Sequence, residues 1–406
     1  MRRIAVVGAG QAGLHLALGL LAAGYRVTLV AARTPQQLRG GRVLSTQAMF
    51  GPALRIERAA GLDLWADRAP AVYSVDATLA APPGVRALAY TMTLDEPAQS
   101  VDQRLKMAGW LELFAERGGR TEYRAVDRAG LQQLAETHEL TVVATGRGEL
   151  AELFARDAGR SAPQPLRTLC CLYAHGVGAP DPAAEPRARM NAIPQAGELY
   201  LQPALTLSGP CSILLWEAVP GGPLDCFADR PGPVEQLDRM RGLLREYLPW
   251  EYELWAEAEP TDALGNLYGA VTPTVRHPVA ELDHGCHVFG IGDTVVLNDP
   301  ITGQGANNAA RAAARYLRAI TEHGEAAFTP GWMRRTFDLH WREEARHSVE
   351  FTASMLAMPE HLQRVFGAAA EHPQVARRLA NTYAEPSDYP SWLATPELTQ
   401  AYLASL

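Results

Sequence analysis

Two glycine-rich turns hold the groups with the clearest chemical use. The first is Gly8-Ala9-Gly10-Gln11-Ala12-Gly13. Glycines there let backbone N–H groups approach phosphate oxygens, and the positive end of a following helix favours their charge. Gly8, Gly10, Gln11, Ala12 and Gly13 are therefore candidates for holding the pyrophosphate of a dinucleotide. The second is Gly292-Asp293, followed by the run Asp299-Pro300-Ile301-Thr302-Gly303-Gln304-Gly305-Ala306-Asn307-Asn308. An aspartate that ends a buried strand can accept hydrogen bonds from a ribityl chain, and a glycine turn opening a helix aims N–H groups at a flavin's pyrimidine edge. The two turns together point to FAD, with Gly292, Asp293, Pro300, Gly303, Gln304, Gly305, Ala306 and Asn307 at its flavin end.

Both turns need strands and helices to place them. Residues 3–7 are apolar and β-branched, 14–23 read as a helix stopped by Gly24, and 25–30 alternate as a second strand. This complete βαβ unit meets the structural condition attached to GxGxxG. A buried strand over 140–144 ends at Thr145-Gly146, and another over 287–291 runs into Gly292-Asp293. The alanine-rich run 306–320 predicts a helix. Helical periodicity recurs over 101–117 and 234–248, while strand-like runs at 169–173, 199–207 and 212–219 predict an antiparallel sheet. The expected fold class is α/β: a Rossmann-like FAD-binding domain (1–47, 95–165 and 283–327) interleaved with an antiparallel-sheet substrate domain (48–94 and 166–282), and a helical C-terminal region (328–406).

Composition narrows the function classes. The chain has 406 residues, 47% hydrophobic, 20% charged and 7% aromatic, which is globular usage and long enough for two interlocked domains. A formal charge of -8 leaves no cationic surplus for phosphates, so neither nucleic acid nor an anionic membrane is an expected partner. Five cysteines, two of them adjacent (Cys170 and Cys171), define neither a disulfide framework nor a CxxC metal site. Met1-Arg2-Arg3 and the apolar run after it imitate a secretory leader, but the glycines of the first turn interrupt that run. A cytoplasmic protein without a metal is expected. Lys106 is the only lysine, which leaves almost no candidate for Schiff-base or lysine acid–base chemistry.

The place after the second strand, where an acid usually binds the adenosine ribose, holds Ala31, Ala32 and Arg33. Arg33 is read either as a partner for a 2′-phosphate or as a loop residue, solvated or lying over the adenine.

Beyond these motifs, the sequence resembles the epoxidase component of the two-component styrene and indole monooxygenases, relatives of the p-hydroxybenzoate hydroxylase-like flavoproteins. The residues that bear the likeness are 8–16 (GAGQAGLHL), 42–46 (RVLST), 100–105 (SVDQRL), 142–146 (VVATG), 197–199 (GEL), 269–273 (GAVTP), the 292–307 stretch and Tyr389-Pro390. The resemblance implies oxygen activation on reduced FAD to a C4a-hydroperoxyflavin and transfer of its distal oxygen to an electron-rich alkene, an indole or a sulfide. The cofactor performs the hard chemistry, so no nucleophilic triad is needed.

The family's self-sufficient relatives read Asp-Gly where this chain reads Thr145-Gly146, and no second GxGxxG exists for a nicotinamide. The implied partners are a separate NAD(P)H-dependent flavin reductase supplying diffusible reduced FAD, O2, a small apolar aromatic substrate and, as an open expectation, a second copy of the chain. Arg33 then stops pointing to NADPH and stays a candidate for the adenosine end. The resemblance also implies flavin contacts from Arg42, Arg104, Thr145 and Gly146. Ser45, Gln47 and Pro300 are implied at the reacting centre, with Ser45 standing where the family has an asparagine. Tyr200, Gln202, Pro203, Leu205, Leu215 and Trp216 are expected to roof the substrate cavity. The competing readings are a self-sufficient NAD(P)H-dependent aromatic hydroxylase, a flavin-dependent halogenase, which would need a positioned lysine and a WxWxIP stretch, and a non-enzymatic flavin-fold binding protein.

Overall fold

The computed structural model describes residues 2–45, 47–181 and 183–406. Two sheets organise the chain. The first runs in the order Val279–Glu281, His287–Gly290, Leu140–Val143, Arg3–Val7, Arg26–Ala31, Arg120–Tyr123. Five of its strands are parallel, and Val279–Glu281 is an antiparallel edge. The central strands are continuous apolar runs because helices cover both faces of a parallel sheet. Leu140–Val143 is buried at every position, and Arg3–Val7 at all but the first.

The first turn ends in helix Gln11–Ala22, which packs on helix Gln304–His323. Gly19 makes room for Leu317 there, where an added Cβ would lie 2.5 Å from Leu317 Cδ2. The glycine turns thus open two helices packed side by side, and this brings residues near 10 and near 305 to one groove.

The second sheet is ordered Glu259–Pro260, Thr168–His175, Gly209–Ala218, Gly197–Thr206, Ala188–Ile193, Val72–Ala80, Arg86–Ala98, with Asn266–Ala270 also on Thr168–His175. All its pairings are antiparallel except Val72–Ala80 with Ala188–Ile193. Alternation sorts its side chains. Leu214 and Trp216 pack with Leu237, Met240 and Leu244 of helix Pro233–Tyr247, whereas Ile213 and Leu215 face the other way, with Tyr173 and Val271.

The fold class is the one the sequence indicated, an α/β chain with a parallel Rossmann-like core, an antiparallel sheet and a helical C-terminus. Two boundaries shift. Strand 279–281, expected in the substrate domain, pairs in the parallel sheet, and residues 95–98, expected in the FAD domain, finish the long strand Arg86–Ala98 of the other sheet. The C-terminal helices form no detached tail. Helices Arg346–Ala357, Glu360–Glu371 and Pro373–Ala384 close a core with Val72, Met92 and Leu94 from the hairpin edge of the second sheet and Met190 from the strand beside it.

Candidate functional site

A groove runs along the C-terminal ends of the parallel strands, where ligands of open α/β sheets bind. Its walls include Gly10, Gln11, Ala12, Leu44, Ser45, Gln47, Gln103, Thr145, Gly146, Arg147, Asp293, Asn298, Pro300, Gly303, Gly305 and Ala306. Beyond Thr145 and Arg147 a second hollow continues it, lined by Gly8, Val30, Ala32 and Arg124. The first turn is shaped by close approach. A Cβ on Gly8, whose φ is +114°, would sit 2.4 Å from the Ala144 carbonyl oxygen, and one on Gly13 would sit 2.0 Å from that of Gly8. Gly8 and Gly13 therefore build the turn from beneath, whereas space beside Gly10 and Gly305 is open. Among the described residues no side chain caps helix Gln11–Ala22 or helix Gln304–His323, so their first N–H groups remain for a ligand.

An apolar cavity adjoins the groove. Phe50, Val72, Val75, Met92, Leu94, Met190, Tyr200, Gln202, Pro203 and Ile213 line it from the second sheet and its approaches, and Ala380 and Tyr383 from the C-terminal helices. Ala48, Leu215, Pro300 and Gly303 belong to both hollows and form their common wall.

Ser45 and Gln47 stand on the groove side. Ser45 Oγ donates to Gln47 Oε1 at 2.8 Å and accepts from Gln103 Nε2 at 3.1 Å, and the Tyr173 hydroxyl donates to the Ser45 carbonyl at 2.6 Å. The Gln47 amide nitrogen donates to the Val101 carbonyl. Thr46, within the same segment, lies outside the described residues. Asp293 follows its strand in a 3-10 turn beside Gly146, where burial pushes its carboxyl up and Arg147 partly opposes this.

Several expected residues point elsewhere. Arg104 is 2% exposed, and its fork is taken by Asp102 (2.8 and 3.0 Å) and Asp262 (2.9 and 3.1 Å), so it ties helix Gln103–Glu116 to the sheet rather than facing a phosphate. Its neighbour Gln103 takes the place on the groove wall. Arg42 donates to the backbone and side-chain oxygens of Asn266, and Arg33 is exposed outside the groove lining. The Gln304 amide is fully buried and donates at 2.8 Å to the carbonyls of Thr302 and Tyr383. Asn307 Nδ2 donates to Ala48 and Gly303 carbonyls at 2.7 Å, and its Oδ1 accepts from the Phe50 N–H. These two amides tie the walls together through hydrogen bonds within the protein.

Tyr200, Gln202, Pro203 and Leu215 line the apolar cavity, whereas Trp216 lies on the opposite sheet face and Leu205 packs in the core around the parallel sheet. Sequence reasoning missed Gln103, Arg124 and Arg147 on the groove, and Ala380 and Tyr383 on the cavity. Arg147 could have been found from its place directly after Thr145-Gly146; the C-terminal pair left no local signal.

The cradle fits a flavin dinucleotide. Thr145 Oγ1 and Asn298 Nδ2 are buried polar atoms on its wall without a hydrogen-bond partner among the described residues. Such orphans, beside uncapped helix starts and open glycine faces, match a polar, phosphate-bearing ligand.

Residues 146–253 match the family model described as "Styrene monooxygenase A putative substrate binding domain". Styrene monooxygenase StyA of Pseudomonas fluorescens is 32% identical over 320 residues, spanning 77% of this chain and 75% of that protein. A styrene monooxygenase StyA from Pseudomonas sp has the same identity and coverage. Among solved structures, the flavin-dependent brominase Bmp2 shares the fold with a TM-score of 0.71 at 15% identity, covering 100% of this chain and 98% of that one. The p-nitrophenol 4-monooxygenase PnpA from Pseudomonas putida DLL-E4 does so at 0.65 and 15%, covering 95% and 99%. Taken with the site, these relatives define the class: a flavin-dependent monooxygenase. The chain belongs to the styrene monooxygenase family.

Proposed function

We propose that this chain is a cytoplasmic FAD-dependent monooxygenase of the two-component type. It would receive reduced FAD from a separate NAD(P)H-dependent flavin reductase and place one oxygen atom of O2 on an electron-rich alkene of the styrene kind, on indole or on a sulfide, the other atom leaving as water. The observation that supports it best is the wall of Ala48, Leu215, Pro300 and Gly303 shared by the dinucleotide-shaped groove and the apolar cavity.

In this reading the N–H groups of Gln11 and Ala12 meet the pyrophosphate, with Arg147 and Arg124 toward the adenosine end. Asp293 holds the ribityl chain, and the turn Gly303 to Ala306 receives the pyrimidine edge. When bound, reduced FAD supplies the electrons that activate O2. The residues of this chain bind, orient and exclude water. Gln47 is fixed by Ser45, Val101 and Tyr173, so its amide keeps one orientation at the groove, and the apolar side chains around Tyr200 hold a substrate without competing water. Ser45 is shorter than the asparagine of the resembling family, which leaves more room at that point of the wall.

Thr145-Gly146 in place of an Asp-Gly pair disfavours self-sufficiency. A halogenase reading lacks its lysine, because Lys106 is buried against Glu57 away from both hollows. The test is oxygen insertion into styrene or indole with an added flavin reductase, compared with the chain and NADH alone. Epoxide or indigo only in the coupled assay is the expected result, and NADH oxidation by the chain by itself would refute the two-component reading. Failure to bind either oxidised or reduced FAD would favour the non-enzymatic one.

A further inference from the structure

On strand Gly209–Ala218 the inward positions read Ile213, Leu215, Glu217, so an acid ends a row that lines the common wall. Glu217 is 0% exposed, and neither of its carboxyl oxygens meets a donor N–H or hydroxyl among the described residues. The side chain that meets it is Asp299, another fully buried carboxyl. Asp299 Oδ1 accepts from the Ile301 N–H at 3.1 Å, capping the 3-10 turn Pro300–Thr302, and Oδ2 has no other donor among the described residues.

The Arg167 charge favours ionisation of both carboxyls, but its guanidinium is bound by a third. Glu198, directly across the sheet from Glu217, closes on both arms of Arg167 at 2.7 and 2.8 Å. Tyr200 and Tyr383 complete the surroundings, both held neutral by burial. One guanidinium therefore serves three carboxyls, and it is engaged by the third. Two ionised carboxyls in contact, buried and without a donor between them, repel strongly, while one proton makes one of them the donor to the other.

We propose that Glu217 and Asp299 hold a single shared proton in the native protein, and that this acid pair is the positioning element that fixes the Pro300 turn where groove and cavity meet. The direction of titration agrees, since burial pushes both carboxyls up, Asp299 to about 6. Glu217 and Asp299 are positioning residues, acting through Pro300; neither lines the hollows. The inference rests on the proposed function only in taking Pro300 to border bound FAD.

Difference infrared spectra of the whole protein near neutral pH, wild type against Glu217→Gln, test the proton. A protonated-carboxyl carbonyl band present in the wild type and lost in the variant is expected; its absence from the wild type overturns the proposal. FAD titration tests the positioning. Glu217→Gln supplies an amide donor where the acid donated and should keep affinity within about twofold, whereas Glu217→Met strips Asp299 of its donor and should weaken it about tenfold. Equal weakening by both variants, or by neither, overturns the positioning role. Should the wild type bind no FAD, the flavin reading falls together with the positioning role, while the infrared band still decides the shared proton.

Discussion

Deleting the charge of Lys106 alone should harm the protein more than deleting it together with its partner. Lys106 Nζ lies 2.6 Å from Glu57 Oε1, with side chains only 5% and 2% exposed, and the same oxygen accepts from Gln11 Nε2 at 2.6 Å. Lys106→Met leaves a buried carboxylate with one amide donor, a loss of about 3–5 kcal/mol for a broken buried pair. In Glu57→Gln/Lys106→Met no charge remains and the new amide oxygen still accepts from Gln11, so the loss should stay near 1 kcal/mol. The double variant should then be roughly 2–4 kcal/mol more stable than Lys106→Met, and the coupling from the double-mutant cycle exceeds that difference by the cost of Glu57→Gln alone.

Thermal and denaturant unfolding of the four proteins give this quantity. NMR titration of His15 gives an independent one. Burial and then the Lys106 charge lower His15 to about 4, so Lys106→Met should bring it partway back towards its ordinary value. FAD affinity should weaken in Lys106→Met, since Gln11 borders the groove. A double variant as unstable as the sum of the two single ones, with His15 unmoved, would refute the reasoning.

Gly10→Ala should fold like the wild type but lose FAD affinity, because its Cβ enters open space where the ligand is proposed, whereas Gly13→Ala should lose both, its Cβ falling 2.0 Å from a backbone oxygen; calorimetry and flavin titration separate the two. Val75→Phe, in the lining of the apolar cavity alone, should cut turnover of vinyl arenes about tenfold or more while FAD affinity holds, read from product formation and flavin titration.

The shared proton also sets a slope of stability with pH. Glu217 is raised, so the native state keeps a proton that the unfolded chain releases above the ordinary glutamate range. Stability is fully present below that range and falls by about 1.4 kcal/mol per pH unit until the native pair ionises. His15 is lowered, so stability rises with pH between about 4 and 6.5, opposing the first slope; above that window the difference between wild type and Glu217→Gln in urea unfolding should show the acid pair alone.

What the sequence disclosed and what it hid follow from how far each signal reaches along the chain. The βαβ start, the strand ending at Thr145-Gly146 and the helix after Gly303 are local patterns, and the structure has all of them. Misplaced side chains sit one position off. Arg104 follows Gln103 by about 100° around a helix, and Trp216 follows Leu215 by a full face of a strand, so an error of one residue moves the side chain from wall to core. Gln304 and Asn307 have the right chemistry for a ligand, but only tertiary structure shows that Tyr383, Ala48 and Phe50 already use it. Tyr383 and the Glu217–Asp299 contact join distant segments, and an amphipathic helix or an alternating strand announces that it has a buried face without saying what covers it.

That tertiary wiring explains why the Pro300 turn is the part of the site least free to vary. Asp299 caps it and meets Glu217 from the second sheet. Gln304 links its Thr302 carbonyl to the C-terminal helices, and Thr302 Oγ1 shares a 2.5 Å hydrogen bond with Thr352 Oγ1. Asn307 fastens Gly303 to Ala48, on the segment that holds Ser45 and Gln47. Each buried hydrogen bond contributes only about 1 kcal/mol, yet losing one partner leaves a donor or acceptor stranded at a further cost of about 1–3 kcal/mol. The parallel sheet, the second sheet and the C-terminal helices therefore share one polar knot, and a backbone shift of the helix at Tyr383 must also disturb the turn facing the groove. Substrate scope is more easily altered from Val75, Met92 and Leu94, whose side chains touch the cavity without joining the knot.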